Sequence, residues 1–358
     1  MSSVLAGWRK ATAGTGALRD CSLVVATYRR ADRVRMLLAR IAELHDVPAE
    51  VIVVDGSPDD ESQRAISAWA SASDLPYELV YVRSPAGLTR QRNVGIDAST
   101  GAIVFFLDDD CLPEEGYFEA IRRIFRADRR RVVAAVCGSP VNQMSGPLSR
   151  RWRTRLALGI APSGEAGQYQ RMGASMPLEL ARPFTGSRPV AVMPGCAMSF
   201  PRWVLERHRF SSFFHGYSQG EDLEMSLRVA REGIILWCGD ARVFHDHAPG
   251  GRPASMEKGR MEVRNRFFIW KRYVPDARLA DRLRFWSDIA YSVGYDIATF
   301  IMRPVSMAPL HHMTGCIRGA VDCLAAPPHH DEPPARREYD FDIRSLAEAA
   351  PLPADALG

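Results

Sequence analysis

Apolar residues along the chain fall into short runs and helical stripes that alternate. Ser22–Thr27 (SLVVAT) is a short apolar run and reads as a buried strand. Arg33–Leu44 follows with Val34, Leu37, Leu38, Ile41 and Leu44 at helical spacing. Glu50–Val54 is a second strand, stopped by the turn cluster Asp55-Gly56-Ser57-Pro58-Asp59, and Asp60–Ala70 is a second helix. Tyr77–Val82 reads as a third strand, Gly87–Ala98 as a loop running into a helix, and Ala102–Leu107 as a fourth strand ending at Asp108-Asp109-Asp110. Glu114–Arg126 is a helix with Phe118, Ile121 and Phe125 inward, and Arg131–Cys137 is a fifth strand. Residues 139–189 are rich in Gly, Pro, Ser and Arg and read as a loop-rich insertion. Val190–Phe200 is again apolar, broken at Pro194-Gly195. Asp222–Glu232 is a helix, Ile234–Trp237 and Ala241–Phe244 are two short strands, and Ala254–Tyr273 and Asp276–Met302 are long helical patterns. The first 19 residues read as a loose lead-in, and from Ala325 on the Pro, His and charged residues suggest a weakly ordered tail.

Strands alternating with helices imply an α/β fold with a mainly parallel sheet flanked by helices. Such sheets bind ligands at the carboxyl ends of their strands. Tyr28, Asp55 and Asp108 all fall there, which turns a fold expectation into a site expectation. The expected organisation is a lead-in (1–19), a catalytic domain (20–250, with a nucleotide-binding half at 20–138 and an acceptor half at 139–250), a helical extension (251–324) and a tail (325–358).

Composition narrows the classes. With 46% hydrophobic and 25% charged residues the chain can bury a large core. No run of about 18 uncharged apolar residues exists. The nearest candidate, Phe285–Val305, is interrupted by Asp288, Asp296 and Arg303. The net charge of +4 is far from that of a dedicated nucleic-acid binder, and no nucleic-acid partner is expected. The seven Cys include no CxxC pair, and Cys21, Cys137 and Cys196 sit in apolar runs as reduced core thiols do. The first residues lack the long apolar stretch of a signal peptide, so a cytoplasmic protein is expected.

Four features carry chemistry. Asp108 and Asp110 flank one residue of an extended strand end, so both can face one pocket, where a cation or sugar hydroxyl relieves their repulsion. The plain alternative is an acidic turn. Glu221-Asp222 opens a helix; the acids either complement its dipole or present a general base to a cleft. His245 and His247 form an HxH on a strand, as metal ligands or as ordinary polar strand residues. Arg90, Arg92 and Asn93 lie where a loop enters a helix, a placement suited to anions or to a solvated face.

Taken in order, Thr27-Tyr28-Arg29, Asp55-Gly56-Ser57, Arg90-Gln91-Arg92-Asn93, Asp108-Asp109-Asp110, Glu221-Asp222 and His245 resemble glycosyltransferase family 2 with its GT-A fold, over about Cys21 to Ala248. The resemblance implies a metal-dependent, inverting enzyme of the hexosyltransferase type. It would move a sugar from a nucleotide donor, most simply a UDP-sugar, to a hydroxyl of a glycan or lipid-linked acceptor in cell-envelope or exopolysaccharide assembly. It places Ala26, Thr27, Tyr28, Asp55, Arg90, Arg92, Asn93, Asp108 and Asp109 at the nucleotide-sugar. Asp108 and Asp110 form its DxD motif, with Asp110, Asp108 and His245 at Mn²⁺ or Mg²⁺ and His247 as the fallback ligand. Asp222 becomes the general base, with Glu221 beside it, and Gly195 and Cys196 join Glu221 at the acceptor. Two departures stand out: Ala26 where the family often has Pro, and Phe213-Phe214-His215-Gly216-Tyr217 in place of an acidic stretch before the Glu-Asp pair.

The stretch 254–302 mixes Lys258, Arg260, Arg264, Arg266, Lys271 and Arg272 with aromatic residues. It reads as a helix packed on the catalytic domain, as a peripheral contact with the inner face of the plasma membrane, or, least of all, as a nucleic-acid surface. A sugar-1-phosphate nucleotidyltransferase is the enzymatic rival, but Thr27-Tyr28-Arg29-Arg30 is no Gly-rich phosphate loop. A scaffold that has lost its chemistry is the other rival, opposed by intact Asp108, Asp110, Asp222 and His245.

Overall fold

A computed structural model describes residues 7–10, 17–247, 253–330 and 347–348. The outermost lead-in, the expected boundary near residue 250 and most of the tail lie outside the described residues.

The elements run β1 (Gly7–Lys10), β2 (Leu18–Thr27), α1 (Ala31–Ala42), β3 (Pro48–Asp55), α2 (Glu61–Ala72), β4 (Glu78–Arg83), α3 (Leu88–Ala98), β5 (Ile103–Asp108), β6 (Cys111–Pro113), α4 (Tyr117–Ala127) and β7 (Val133–Pro140). The insertion then supplies α5 (Arg150–Ala157), the hairpin β8 (Tyr169–Gln170) and β9 (Ala174–Ser175), and β10 (Ser187–Val190). β11 (Ala197–Pro201), α6 (Arg202–Leu205), α7 (Glu221–Val229) and β12 (Ile234–His245) complete the catalytic region. The helices α8 (Ser255–Tyr273), α9 (Leu279–Met302) and α10 (Ala308–Ala325) follow, and β13 (Ala347–Glu348) returns to the sheet.

The main sheet has the order β10-β12-β7-β11-β5-β2-β3-β4-β1-β13, with β6 paired to β12. β5, β2, β3 and β4 are parallel, and β11 enters antiparallel between β5 and β7. Alternate residues of the parallel strands feed two cores, one on each face. Leu23, Val25, Phe105 and Leu107 enter one, and Val24, Val104 and Phe106 enter the other. α1 contributes Val34, Leu37, Leu38 and Ile41, the expected stripe. α3 lies so close to β2 that a Cβ on Gly95 would stand 2.2 Å from Val24 Cγ1.

Two expectations need correcting. The lead-in is not wholly loose: β1 pairs antiparallel with β4, because Trp8 stacks on Tyr81 with ring centroids 5.5 Å apart. The two strands expected at Ile234–Trp237 and Ala241–Phe244 are one strand, β12, whose pairing with β7 shifts register between Trp237 and Arg242. The shift spans Gly239, where a Cβ would stand 2.2 Å from the Phe184 carbonyl oxygen. That close approach explains why the apolar pattern breaks without the strand ending.

The C-terminal helices form a separate small core in which Trp270 stacks on Phe285 at 4.3 Å. α8 crosses α10 at glycines, since a Cβ on Gly315 would lie 2.0 Å from the Met256 carbonyl oxygen. A second cluster joins the layer to the catalytic region through Phe213 and Phe214, with Phe213 stacked on Phe268 at 3.8 Å. The aromatic side of α8 is thus buried, with Phe268 and Trp270 only 4% and 3% exposed.

Candidate active site

β2, β3 and β5 end together, with Ala26 opposite Asp108 and Thr27 opposite Asp55. The three aspartates at the end of β5 and in the turn after it are placed differently, with Arg30 Nη1 also 3.5 Å from Asp110 Oδ2. Asp109 turns into the protein, where Thr27 Oγ1 donates to it at 2.8 Å and Arg30 Nη1 at 3.0 Å. Burial pushes its carboxyl up to about 6 against the pull of Arg30. Asp108 and Asp110 lie beside His245 at the end of β12. His245 Nε2 lies 3.2 Å from Asp110 Oδ1, and ligand atoms of Asp108, Asp110 and His245 lie within 4.8 Å of one another. Burial opposes the charge on His245, but the Asp110 carboxylate and the Cys196 sulfur outweigh it and raise the imidazole to about 10.

Two carboxylates and an imidazole suit Mn²⁺ or Mg²⁺. The insertion fixes the imidazole in place. The Gln143 amide lies 2.7 Å from Nδ1, and Asn142 brackets the His245 backbone, accepting from its N–H at 2.9 Å and donating to its carbonyl at 2.8 Å. Such outer partners set which ring nitrogen is free to ligate. His247 is exposed, sits at φ +25°, and stacks loosely beside His245 with centroids 4.2 Å apart. It is absent from the ligand cluster among the described residues.

Arg92 is the hub. Its guanidinium is buried and donates to Glu221 at 2.8 Å, to Asp108 at 3.1 Å and to the Gly195 carbonyl at 2.9 Å, while lying over the Phe210 ring. One cation therefore links β5, the segment before β11, and α7. Glu221 is buried so deeply that, with Asp222 adjacent, its carboxyl rises to about 8 even beside Arg92.

Asp222 sits in the first turn of α7. The N–H of Gly195 donates to its Oδ2 at 3.0 Å and that of Leu223 to its Oδ1 at 2.8 Å. A Cβ on Gly195 would stand 3.0 Å from that oxygen, so glycine there is a condition of the seat. Burial raises the Asp222 carboxyl, opposed by these N–H donors and Arg92. α8 braces α7 from behind. Asn265 donates to the Gln219 carbonyl at 2.8 Å, and Tyr273 Oη donates to the buried Glu224 at 2.7 Å. Phe268→Ala is therefore expected to cost about 3 kcal/mol in chemical denaturation and to lower activity as well, through a loosened α7.

The residues expected at the nucleotide are placed unequally. Tyr28 and Arg90 are exposed and Ala26 is half-buried, all near the strand ends. Asp55 is fully buried. Ser57 donates to one of its oxygens through N–H at 2.8 Å and through its hydroxyl at 2.6 Å, and Tyr81 Oη donates to the other at 2.5 Å. Asn93 brackets the Phe210 backbone with 2.9 Å bonds in both directions. In this structure Arg92, Asn93 and Asp109 all spend their hydrogen bonds on the protein framework.

The Glycosyl transferase family 2 model matches residues 22–208, more than half of the 358-residue chain. The chain belongs to glycosyl transferase family 2. The matched span includes the Asp108–Asp110 motif and stops before Glu221, Asp222 and His245, so those three rest on the geometry above. Among curated members, the chain is 30% identical over 131 residues to the succinoglycan biosynthesis protein ExoM of Rhizobium meliloti, covering 36% of this chain and 40% of that one. It is 27% identical over 134 residues to the glycosyltransferase AglE of Haloferax volcanii, covering 37% and 40%. The chain thus spans about two-fifths of the length of these relatives. Among solved structures, the mannosyltransferase PcManGT from Pyrobaculum calidifontis, in complex with GDP-Man and Mn²⁺, aligns with a TM-score of 0.50 at 18% identity, over 87% of this chain and 91% of that one. The GT-A fold of the family is therefore the fold seen here.

Several residues of this family 2 site were given no role by the sequence, although Gln91 and Ser57 stand inside its motifs. Gln91 Nε2 donates to the carbonyls of Thr27 at 2.7 Å and Val54 at 2.8 Å, tying two strand ends together. Tyr81, Asn142 and Gln143 gave no signal at all, and Ser57 only as part of the turn after Asp55: each is an ordinary polar residue until the fold brings it to Asp55 or His245.

Proposed function

We propose that the chain is a metal-dependent, inverting glycosyltransferase that takes a nucleotide-sugar, UDP-linked in the first instance, and transfers the sugar to a hydroxyl of a glycan or lipid-linked acceptor in cell-envelope or exopolysaccharide assembly. The observation that carries this reading is the single guanidinium of Arg92, which holds the Asp108 end of a cation site and the Glu221-Asp222 end of an acid-base site in one assembly.

In this reading Asp222 accepts the proton of the acceptor hydroxyl as its oxygen attacks the anomeric carbon. The Gly195 and Leu223 N–H groups orient the carboxylate for that transfer. Asp108, Asp110 and His245 would hold the cation, which when bound would supply neutralisation of the charge on the nucleoside diphosphate leaving group. Tyr28 and Arg90 are the exposed groups at the strand ends for the base and diphosphate. A single displacement inverts the anomeric centre and requires no protein nucleophile. Asp110→Ala is expected to abolish the Mn²⁺ dependence of donor binding; an unchanged Mn²⁺ titration in that variant would remove the DxD assignment. GDP is the rival nucleotide, since the mannosyltransferase of similar fold was solved with GDP-Man.

The protein acts at the cytoplasmic face of the membrane, as a peripheral partner of an anionic bilayer. No helix among the described residues is long and apolar enough to cross one. The contact lies away from the buried aromatics of α8, at the turn between α9 and α10. Ile301, Met302 and Val305 there are 71%, 68% and 90% exposed. From Ile297 to Val321 the chain has no carboxylate, while Arg303 and Arg318 are exposed, which complements an anionic surface. Sedimentation with phosphatidylglycerol-containing vesicles is expected for the wild type and lost in Ile301→Glu/Met302→Glu. Failure of the wild type to sediment, or dissociation of a dimer by the same variant in light scattering, would point instead to no docking or to a second copy of the chain.

A further inference from the structure

A separate set of ligand atoms lies in the C-terminal helical layer, outside the family 2 site. Asp296 on α9 and His312 and Cys316 on α10 bring a carboxylate oxygen, an imidazole nitrogen and a thiol sulfur within 4.8 Å of one another. His312 Nδ1 is their meeting point, 2.7 Å from Asp296 Oδ2 and 3.8 Å from Cys316 Sγ. His312 and Cys316 stand one turn apart on α10, so they share a face of that helix. The other ring nitrogen, Nε2, lies 3.3 Å from Glu262 Oε2 on α8. Glycine sets that reach: a Cβ on Gly259, just before Glu262, would stand 2.2 Å from the His312 carbonyl oxygen. Together with Gly315, this makes α8 and α10 cross at the cluster itself. Cys316 is only 1% exposed, and with Glu262 it also lines a cavity of about 170 Å³.

We infer that Asp296, His312 and Cys316 bind one Zn²⁺, which clips α9 to α10. Zinc takes imidazole, thiolate and carboxylate together in a four-ligand set, and a water from the adjoining cavity completes the fourth position. Hard cations such as Mg²⁺ gain little from the sulfur, so this site selects zinc over them. With Nδ1 on the metal, Nε2 carries the ring proton and donates it to Glu262, the outer carboxylate that fixes the tautomer. Without a cation, Asp296, then Cys316 and Glu262, hold a proton on His312 and raise it to about 11. Binding therefore exchanges protons for metal: the Nδ1–H and Sγ–H bonds give way to nitrogen–zinc and sulfur–zinc bonds, and two protons leave to solvent with no change of oxidation state. Asp296 and His312 flank the turn that carries Ile301, Met302 and Val305, so the clip closes that hairpin at its base. The inference stands apart from the transfer chemistry proposed above and uses none of its residues.

The test is titration of the full-length protein, stripped by a chelator, with Co²⁺ as the spectroscopic probe for zinc. It is run in Cys196→Ser, because Cys111, Cys196 and His245 also bring ligand atoms within 4.8 Å of one another and that thiol must be silent. The expected result is a near-ultraviolet thiolate-to-cobalt charge-transfer band in Cys196→Ser that is lost in Cys196→Ser/Cys316→Ser. In Cys316→Ser and in His312→Gln, Zn²⁺ affinity should fall by about tenfold or more. Zn²⁺ at about a hundred times its Kd should raise the Tm of the stripped wild type by about 5 °C and leave Cys316→Ser unmoved. Hydrogen exchange of the wild type reads the same site without a variant: Zn²⁺ should slow exchange around Asp296 on α9 and around His312 on α10. Mn²⁺-dependent donor binding should be the same in Cys316→Ser as in the wild type, which keeps a failure here distinct from a failure at Asp110. No band in Cys196→Ser, or a band that persists in the double variant, would overturn the Cys316 assignment. Absence of zinc-dependent protection on both helices of the wild type would overturn the clip and leave His312 as a protonated partner of Asp296 and Glu262.

Discussion

Asp222→Asn is expected to slow sugar transfer by about a thousandfold while leaving donor binding close to wild type, since positioned general bases contribute roughly 10²–10⁴ in rate. The substitution preserves shape. The amide still offers an oxygen to the Gly195 and Leu223 N–H groups that hold the carboxylate at 3.0 and 2.8 Å, but it cannot take a proton. The loss should therefore appear in kcat, with the apparent Kd for donor little changed. A pH signature accompanies it. Burial raises the Asp222 carboxyl above the ordinary aspartate value. The reactive form is the deprotonated one, so the wild-type acid limb should lie at higher pH than for an exposed aspartate and should disappear from the residual activity of the Asn variant. Transfer at the wild-type rate in Asp222→Asn would assign the base elsewhere.

Arg92→Met is expected to damage stability and activity together. Removing the guanidinium leaves Asp108 and Glu221 facing each other without a cation and the Gly195 carbonyl without its donor. Breaking a buried pair by deleting one partner costs about 3–5 kcal/mol, which corresponds to a fall in Tm on the order of 10 °C for a domain of this size. Glu221, already raised to about 8 with Arg92 present, would become fully protonated at neutral pH. Arg92→Lys separates charge from geometry: one ammonium can satisfy one of the three acceptors well, so part of the stability should return while transfer stays low. A melting temperature for Arg92→Met within about 2 °C of wild type would show that the hub is not structural.

Legibility in the sequence followed the kind of signal each residue gives. The parallel strands were readable because each is a short apolar run stopped by a polar or turn residue, and the acids at their ends were readable as chemistry for the same reason. Glu221-Asp222 and His245 were legible by order and spacing. Arg92 was seen, but its direction was not, because a helix entered from a loop can turn a side chain to solvent or into the protein. Here the close approach of α3 to β2, permitted by Gly95, turns it inward. Asp109 was grouped with its neighbours, but β5 ends at Asp108 and the turn that follows sends Asp109 to Thr27 and Arg30. The basic and aromatic residues of α8 left three readings open, since long cations can lie along rings as well as face phosphates. In the fold Arg264 lies over Phe213 and Arg266 pairs with Asp288, so these cations serve packing. Gln143 and Asn142 were invisible, and Gln91 was seen in its motif without its role, because the partners of all three lie far away in sequence.

The central claim, a nucleotide pocket completed by a cation at Asp108, Asp110 and His245, is tested most directly by thermal-shift binding of UDP, dTDP and GDP, each with and without Mn²⁺, in the wild type and in Asp110→Ala. A ligand bound at a hundred times its Kd stabilises the folded state by about 2.7 kcal/mol, enough to see. Stabilisation of the wild type by UDP only in the presence of Mn²⁺, absent from Asp110→Ala, is the expected result. Equal stabilisation without metal, persistence of the metal effect in Asp110→Ala, or no response to any of the three nucleotides would contradict it.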